Sequence, residues 1–215
     1  MVKVKICGIT NVDDAVAAFE AGADAIGLNF VEGYARCISL ETAKEITRNL
    51  PPLLTVVGVF ADIEVREVRT AVRICRLDTV QLHGEEPSHD CHQLTDTADN
   101  PTPVIKAFRV KGPETLEAIP AYRGVGRVTP LLDAYDPKEI GGVGKTFEWD
   151  LVADAEGLHP FILSGGLNPD NVAEAVKTLK PYAVDSSSGV EAELCKKDPE
   201  KVRAFIENAK AAASA

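Results

Sequence analysis

Short apolar runs alternate with amphipathic stretches eight times along this chain, at 2–7, 25–30, 54–60, 79–82, 104–108, 128–132, 161–163 and 182–184. A strand that returns to its sheet through a helix runs parallel to its predecessor, because a right-twisted strand feeding a right-handed helix packs back only in that sense. Eight such units are the number that closes a barrel. The expected fold class is therefore α/β, a single-domain (β/α)8 TIM barrel of eight parallel strands with helices outside, spanning 1–208. An Ala-rich tail, 209–215, ends the last helix or frays. With 215 residues the barrel must have short loops, since typical barrels need about 250. The competing architecture, a doubly wound open sheet, normally carries fewer strands. No linker, low-complexity stretch or shift of composition marks a second domain.

Helix signals fill the gaps. Asn11 can cap a first helix that places Ala15, Val16 and Phe19 on one face and ends at Gly22. The same spacing recurs as Val65, Val68 and Val72, as Val172, Ala175, Val176 and Leu179, and as Val202, Phe205, Ile206 and Ala209. Asn168-Pro169 reads as a cap followed by proline at the first helical position, and a fifth helix is read around 114–118.

Composition narrows the partners. A hydrophobic fraction of 45% with 26% charged residues is that of a globular protein with an adequate core. A net charge of -10 without a Lys/Arg run argues against a nucleic-acid surface. No apolar stretch nears the roughly 18 residues of a membrane span. Five scattered cysteines, an odd number without a CxxC pair, together with no secretory leader, point to the cytoplasm. The partner expected is a small molecule.

In parallel α/β folds chemistry sits where strands end at their C-terminal lip. Here those ends are polar: Cys7 on strand 1, Gln81-Leu82-His83-Gly84 on strand 4, Lys106 and Arg109 on strand 5, Asp133 on strand 6. Strand 7 ends in Ser164-Gly165-Gly166 and strand 8 in Asp185-Ser186-Ser187-Ser188-Gly189. Each alone reads as a cap, a turn former or a packed residue. Gathered at one lip they read as a site. Gly165 and Gly166 let backbone approach a ligand, and Ser186, Ser187 and Ser188 add N–H groups and hydroxyls, the pattern of a barrel's phosphate site. The loop at 141–146 resembles the end of a nucleotide-binding loop, but the earlier glycine falls at Glu139 and no strand leads into it. It reads instead as a flexible loop that could cover the site. His83, His89, Cys91 and His92 are badly spaced for zinc. No metal is expected.

Six segments in succession, Lys5-Ile6-Cys7-Gly8-Ile9-Thr10, Gln81-Leu82-His83-Gly84, Leu131-Leu132-Asp133, Gly141-Gly142-Val143-Gly144-Lys145-Thr146-Phe147-Glu148-Trp149, Ser164-Gly165-Gly166-Leu167-Asn168-Pro169 and Asp185-Ser186-Ser187-Ser188-Gly189-Val190-Glu191, closely resemble the signatures of the phosphoribosylanthranilate isomerase family of tryptophan biosynthesis. The resemblance implies a cofactor-free Amadori rearrangement of N-(5-phosphoribosyl)anthranilate to 1-(2-carboxyphenylamino)-1-deoxyribulose 5-phosphate, by a monomer or homodimer. It implies Asp133 as general acid on the ribose ring oxygen and Cys7 as general base at C2. It also implies Arg36 as partner of the anthranilate carboxylate, although Tyr34-Ala35 stands where relatives usually have Ser-Pro. Gln81 and His83 become polar wall residues, and Asp185 contacts the substrate's amine or holds the site's geometry. Reference pKa values of about 3.9 for aspartic acid and 8.5 for a thiol lie on the wrong sides of neutrality for these roles. An apolar strand 6 and the anionic substrate are expected to raise Asp133, and Lys5 or a nearby dipole to lower Cys7. Related phosphosugar barrels, indole-glycerol-phosphate synthase and the histidine-pathway isomerase, share the strand 7 and 8 cradle. They differ at strand 1, where the histidine-pathway enzyme places aspartate and the synthase relies on lysine and glutamate. A non-catalytic barrel binding a phosphometabolite is a third reading, disfavoured by the presence of both Cys7 and Asp133.

Overall fold

A computed structural model of the chain describes residues 1–96, 101–123, 127–134, 149, 152 and 158–214. Its strands are β1 (Lys3–Ile6), β2 (Ala25–Asn29), β3 (Thr55–Phe60), β4 (Thr79–Leu82), β5 (Val104–Val110), β6 (Val128–Ala134), β7 (Ile162–Leu163) and β8 (Ala183–Ser186). They pair in sequence order, all parallel, and β8 returns to β1 to close the barrel. All eight strands therefore lie where the apolar runs predicted them. Closure sets Lys5 opposite Asp185 and Ile6 opposite Ser186 across the β1–β8 seam.

Outside the barrel lie α1 (Val12–Glu20), α2 (Leu40–Arg48), α3 (Val65–Cys75), α4 (Ser88–Thr95), α5 (Pro113–Ala118), α6 (Pro120–Arg123), α7 (Val172–Leu179) and α8 (Pro199–Ala212). Asn11 caps α1 as expected, its side-chain oxygen accepting from the Asp14 N–H at 2.8 Å, and Gly22 follows the helix with φ +91°. The buried face of α1 is Ala15 and Ala18, while Phe19 is 38% exposed. Small residues let this helix lie close to its neighbours, so the aromatic side turns outward. The buried faces of α7 and α8 are those the spacing predicted. The expected cap at Asn168 sits earlier than the helix it was assigned to: its Oδ1 accepts from Asp170 and Asn171, closing a separate turn, and α7 begins only at Val172. The alanines after residue 208 continue α8 to Ala212, with Ala209 fully buried. Among the described residues no helix is long and apolar enough to cross a membrane.

Among the described residues the core has two parts. A large shell of buried residues lies between strands and helices, and a small inner cluster of Val57, Ile105, Ala107, Leu131, Ile162 and Ala183 fills the barrel. Because side chains alternate along a strand, the inner face fixes which residues rise above it at the C-terminal end. Leu131 is followed two places on by Asp133, Ala183 by Asp185, Ile162 by Ser164 and Ala107 by Arg109. The apolar floor and the polar lip are thus one phase of one pattern. After β8 a short 3-10 turn (Ser188–Val190) leads into an antiparallel hairpin of β9 (Glu191–Glu193) and β10 (Lys196–Lys197), with Lys197 opposite Glu191.

Candidate active site

The inward phase opens into a cleft at the C-terminal lip. Cys7, Arg36, Gln81, His83, Asp133 and Asp185 line it, and so do Gly165, Gly166, Ser186, Ser187 and Ser188. These eleven residues, given roles at the site from the sequence, are therefore gathered in one place. Asn29, Tyr34, Arg109 and Ser164 also line it, though none had been given a role there. Arg109, read from the sequence as a polar residue of the strand 5 end, reaches the cleft because it stands at even spacing from the inward Ile105 and Ala107. Lys106, expected at the lip, belongs to the opposite phase and points out of the barrel. The loop at 141–146 lies outside the described residues.

On the β1–β8 seam, register partners become an ion pair. Lys5 Nζ lies 2.9 Å from Asp185 Oδ1, both side chains being buried, and Ser164 Oγ donates to Asp185 Oδ2 at 3.2 Å. With both carboxylate oxygens engaged, Asp185 holds the wall and the lysine beside Cys7. Burial works against the charge of Lys5, but Asp185 and Cys7 outweigh it and keep the ammonium above the ordinary lysine range. The thiol behaves otherwise than the sequence suggested. Burial pushes Cys7 up, Lys5 pulls it down, and Asp185 pushes it up again, so the net shift is upward. Lys5 fails to win because burial is the larger effect and the carboxylate that Lys5 touches adds to it.

The β4 and β6 ends meet through a chain of side chains. His83 Nε2 lies 3.1 Å from Asp133 Oδ2, and Gln81 Nε2 lies 3.0 Å from His83 Nδ1. Asp133 is 5% exposed, held at the cleft surface by the imidazole. Gln81 Oε1 is buried without a hydrogen-bond partner among the described residues.

The β7 and β8 turns form the third wall. Gly165 and Gly166 take φ +86° and +70°, which a side chain would strain, and the strand turns its backbone toward the cleft. Ser186 Oγ donates to the Leu167 carbonyl at 2.7 Å, locking the two turns together. Gly189 packs so tightly there that a Cβ would fall on the same carbonyl. Arg36 reaches the cleft from the loop after β2, with Nε and Nη2 each 2.7 Å from the two oxygens of Glu191. His89, Cys91 and His92 lie on α4, away from His83, and among the described residues no group of three or more His, Cys, Asp or Glu is placed to hold a metal ion.

An acid and a thiol, three strands apart round a closed ring and above a glycine–serine cradle, suit proton transfers on a phosphorylated sugar. Comparison with known proteins identifies the family. The family described as N-(5'phosphoribosyl)anthranilate (PRA) isomerase matches residues 4–208. N-(5'-phosphoribosyl)anthranilate isomerase of Geobacter sp. (strain M21) is 50% identical, over 98% of both chains. The crystal structure of phosphoribosyl anthranilate isomerase from Thermotoga maritima superposes with a TM-score of 0.90 at 42% identity, covering 98% of this chain and 100% of that one. A crystal structure of the isomerase in complex with reduced 1-(o-carboxyphenylamino)-1-deoxyribulose 5-phosphate superposes at 0.85, with 40% identity and the same coverage. Matched along nearly its whole length in sequence and in fold, the chain belongs to the phosphoribosylanthranilate isomerase family.

Proposed function

We propose that this cleft rearranges N-(5'-phosphoribosyl)anthranilate to 1-(2-carboxyphenylamino)-1-deoxyribulose 5-phosphate. The observation that carries the reading is the placement of Cys7 and Asp133, far apart in sequence, on two walls of one cleft whose third wall is the Gly165–Ser188 cradle. Asp133, as the carboxylic acid, gives its proton to the ribose ring oxygen. The C1–O bond breaks as the anilino nitrogen forms a C1=N double bond. Cys7, as thiolate, takes the proton from C2, and the released pair forms C1=C2 while the iminium collects its electrons. The enolamine then tautomerises to the ketone, so the net change is an isomerisation without external oxidant.

His83 orients Asp133, and Gln81 orients His83. Gly165, Gly166, Ser187 and Ser188 receive the phosphate, and Ser186 braces their turn through Leu167. The unused Nη1 of Arg36 takes the anthranilate carboxylate, a charge-assisted contact of the kind that guanidinium makes best. Asp185 holds Lys5 and Ser164 in place. Every side chain in this scheme comes from one chain, so a monomer and a homodimer would both be competent. A cytoplasmic setting would keep the five free cysteines reduced.

The test is a fluorescence assay in which the substrate is generated in place and its disappearance followed, with wild type beside Cys7→Ser and Asp133→Asn. General acid–base groups contribute roughly a hundredfold to ten-thousandfold each, and losses of that order in kcat are expected. An inactive wild type would overturn the reading, and a fully active Cys7→Ser would remove the base.

A further inference from the structure

Arg36 is the cationic arm of the cleft, yet two of its guanidinium nitrogens are already spent on Glu191. That carboxylate is itself shared: Glu191 Oε1 lies 3.0 Å from Lys197 Nζ, and the side chains of Glu191 and Lys197 are only 7% and 1% exposed. A buried lysine is costly unless fully engaged. Lys197 offsets part of that cost with Glu191 and with the Ser187 carbonyl, to which it donates at 3.0 Å, and burial still holds its ammonium below the ordinary lysine range. The stem of Arg36 is also confined, since a Cβ on Gly8 would lie 2.5 Å from its Cδ. The β9–β10 pairing that sets Lys197 opposite Glu191 builds this arrangement into the backbone.

The charges matter as much as the geometry. Arg36 and Glu191 alone form a neutral pair, which offers an incoming carboxylate little net attraction. Lys197 makes the trio cationic. Two further charged groups touch only the backbone of the hairpin: Lys201 Nζ donates to the Glu191 carbonyl, and Asp14 accepts from the Lys197 N–H. Being opposite in sign, they leave the balance as it was. Arg36, with Nε and one edge of Nη2 fixed, keeps Nη1 and the second Nη2 hydrogen for a ligand. Holding the arm in advance spares the rotamer entropy that a free arginine loses on binding.

We infer that Glu191 and Lys197 are positioning residues for the aryl carboxylate of the substrate: Glu191 aims Arg36, and Lys197 keeps the cluster positive while anchoring it to the Ser187 carbonyl of the phosphate turn. One lysine thereby indexes both ends of the substrate to each other. The inference rests on the isomerase reading above and adds the source of its selectivity for a carboxylated aniline.

The experiment compares two stable probes on the intact enzyme, reduced 1-(o-carboxyphenylamino)-1-deoxyribulose 5-phosphate and its counterpart lacking the ring carboxylate. Inhibition constants and turnover are measured for wild type, Lys197→Met, Glu191→Gln and the double variant. In Lys197→Met the carboxylated probe should bind about tenfold to a hundredfold less tightly, the range of one charge-assisted contact, with KM rising more than kcat falls. The carboxyl-free probe should change by less than about threefold, showing that the barrel and phosphate turn are intact. Glu191→Gln should likewise weaken the carboxylated probe, through loss of aim. The double variant, with Arg36 as the remaining charge, should recover part of the loss seen in Lys197→Met. Equal losses for both probes would assign Lys197 to the phosphate turn alone and overturn the inference, as would an unchanged ratio or a double variant no better than Lys197→Met. An inactive wild type defeats the isomerase reading and this inference with it, whereas an active wild type with an unaltered probe ratio defeats this inference only.

Discussion

Two buried lysine–carboxylate pairs sit on the barrel strands, and they differ in the direction they face. Lys5 of β1 points inward, pairs with Asp185 at 2.9 Å and stands beside Cys7, so its network ends on groups that line the cleft. Lys106 of β5 points outward, where its ammonium donates to the Gly84 carbonyl at 2.7 Å, Glu86 Oε2 at 3.0 Å and the Ala107 carbonyl at 3.2 Å. Glu86 Oε1 in turn accepts from the Asp62 and Gly84 N–H groups. Every donor of Lys106 is engaged within the protein. The chemistry of the two pairs is alike, and the phase of the pleat decides that one braces the outside of the barrel while the other backs the wall of the cleft.

Removing one partner of a buried pair strands the other charge, at a cost of about 3–5 kcal/mol, so Lys5→Met and Lys106→Met should both unfold at lower urea concentration. Turnover separates them. In Lys5→Met the thiolate loses its nearest cation, and kcat should fall about tenfold or more, the equivalent of one unit of thiol pKa. In Lys106→Met the folded fraction should keep kcat within about twofold, since no contact of Lys106 reaches the cleft. Urea titration with turnover at low temperature reads both quantities, and equal loss of kcat in the two variants would break the comparison.

A second inward network sharpens it. Gln81 carries a buried acceptor with no partner among the described residues, which is a standing penalty, and its amide serves only His83. Gln81→Leu removes that acceptor, so stability should hold or rise by about 1 kcal/mol. Turnover should fall several-fold because His83 no longer fixes Asp133. Thermal melting beside kcat checks the pair of signs, and a variant that is destabilised and fully active would show Gln81 to be structural.

The strands were legible because each is a compact apolar run, and the glycine–serine turns at the cleft because they stand directly after strands 7 and 8. The cap at Asn11 was legible for the same local reason. Pairings across the chain were not. Lys5 meets Asp185 over 180 residues and Arg36 meets Glu191 over 155, so only closure of the barrel and the β9–β10 hairpin brings them together. Lys106 looked like a lip residue because its strand is long and both faces are buried, which hides the alternation. Asn168 bonds to nearby N–H groups as a cap does, but three residues of turn separate it from α7, and capping residues serve turns equally well. The direction of the Cys7 shift depends first on burial of the thiol in the closed barrel and then on Asp185 standing beside Lys5, a fact of register.

The mildest test sets the two thiols beside these networks against each other. Burial pushes Cys91, on the Lys106 side, up to about 11, with Lys106 only partly opposing it, and the residue is fully buried. Burial also pushes Cys7 up, but Lys5 opposes it and the sulfur stands at the cleft. A thiol whose folded pKa exceeds its unfolded value holds its proton longer in the native state. Its contribution to stability is complete below the unfolded value of about 8.5 and is lost as pH rises through the folded value. Reactivity follows the thiolate, so alkylation of native Cys7 by iodoacetamide should still be climbing above about pH 8.5, where the denatured chain is levelling off. Cys91 should stay unlabelled until the barrel opens. Mass-spectrometric mapping of the alkylated cysteines across pH gives both curves, with an expected difference of a few-fold in rate between native and denatured Cys7. A native Cys7 curve that levels off below about pH 8 would mean that Lys5 outweighs burial, and the inward pair would then be an activator of the thiol in the free enzyme as well as its anchor.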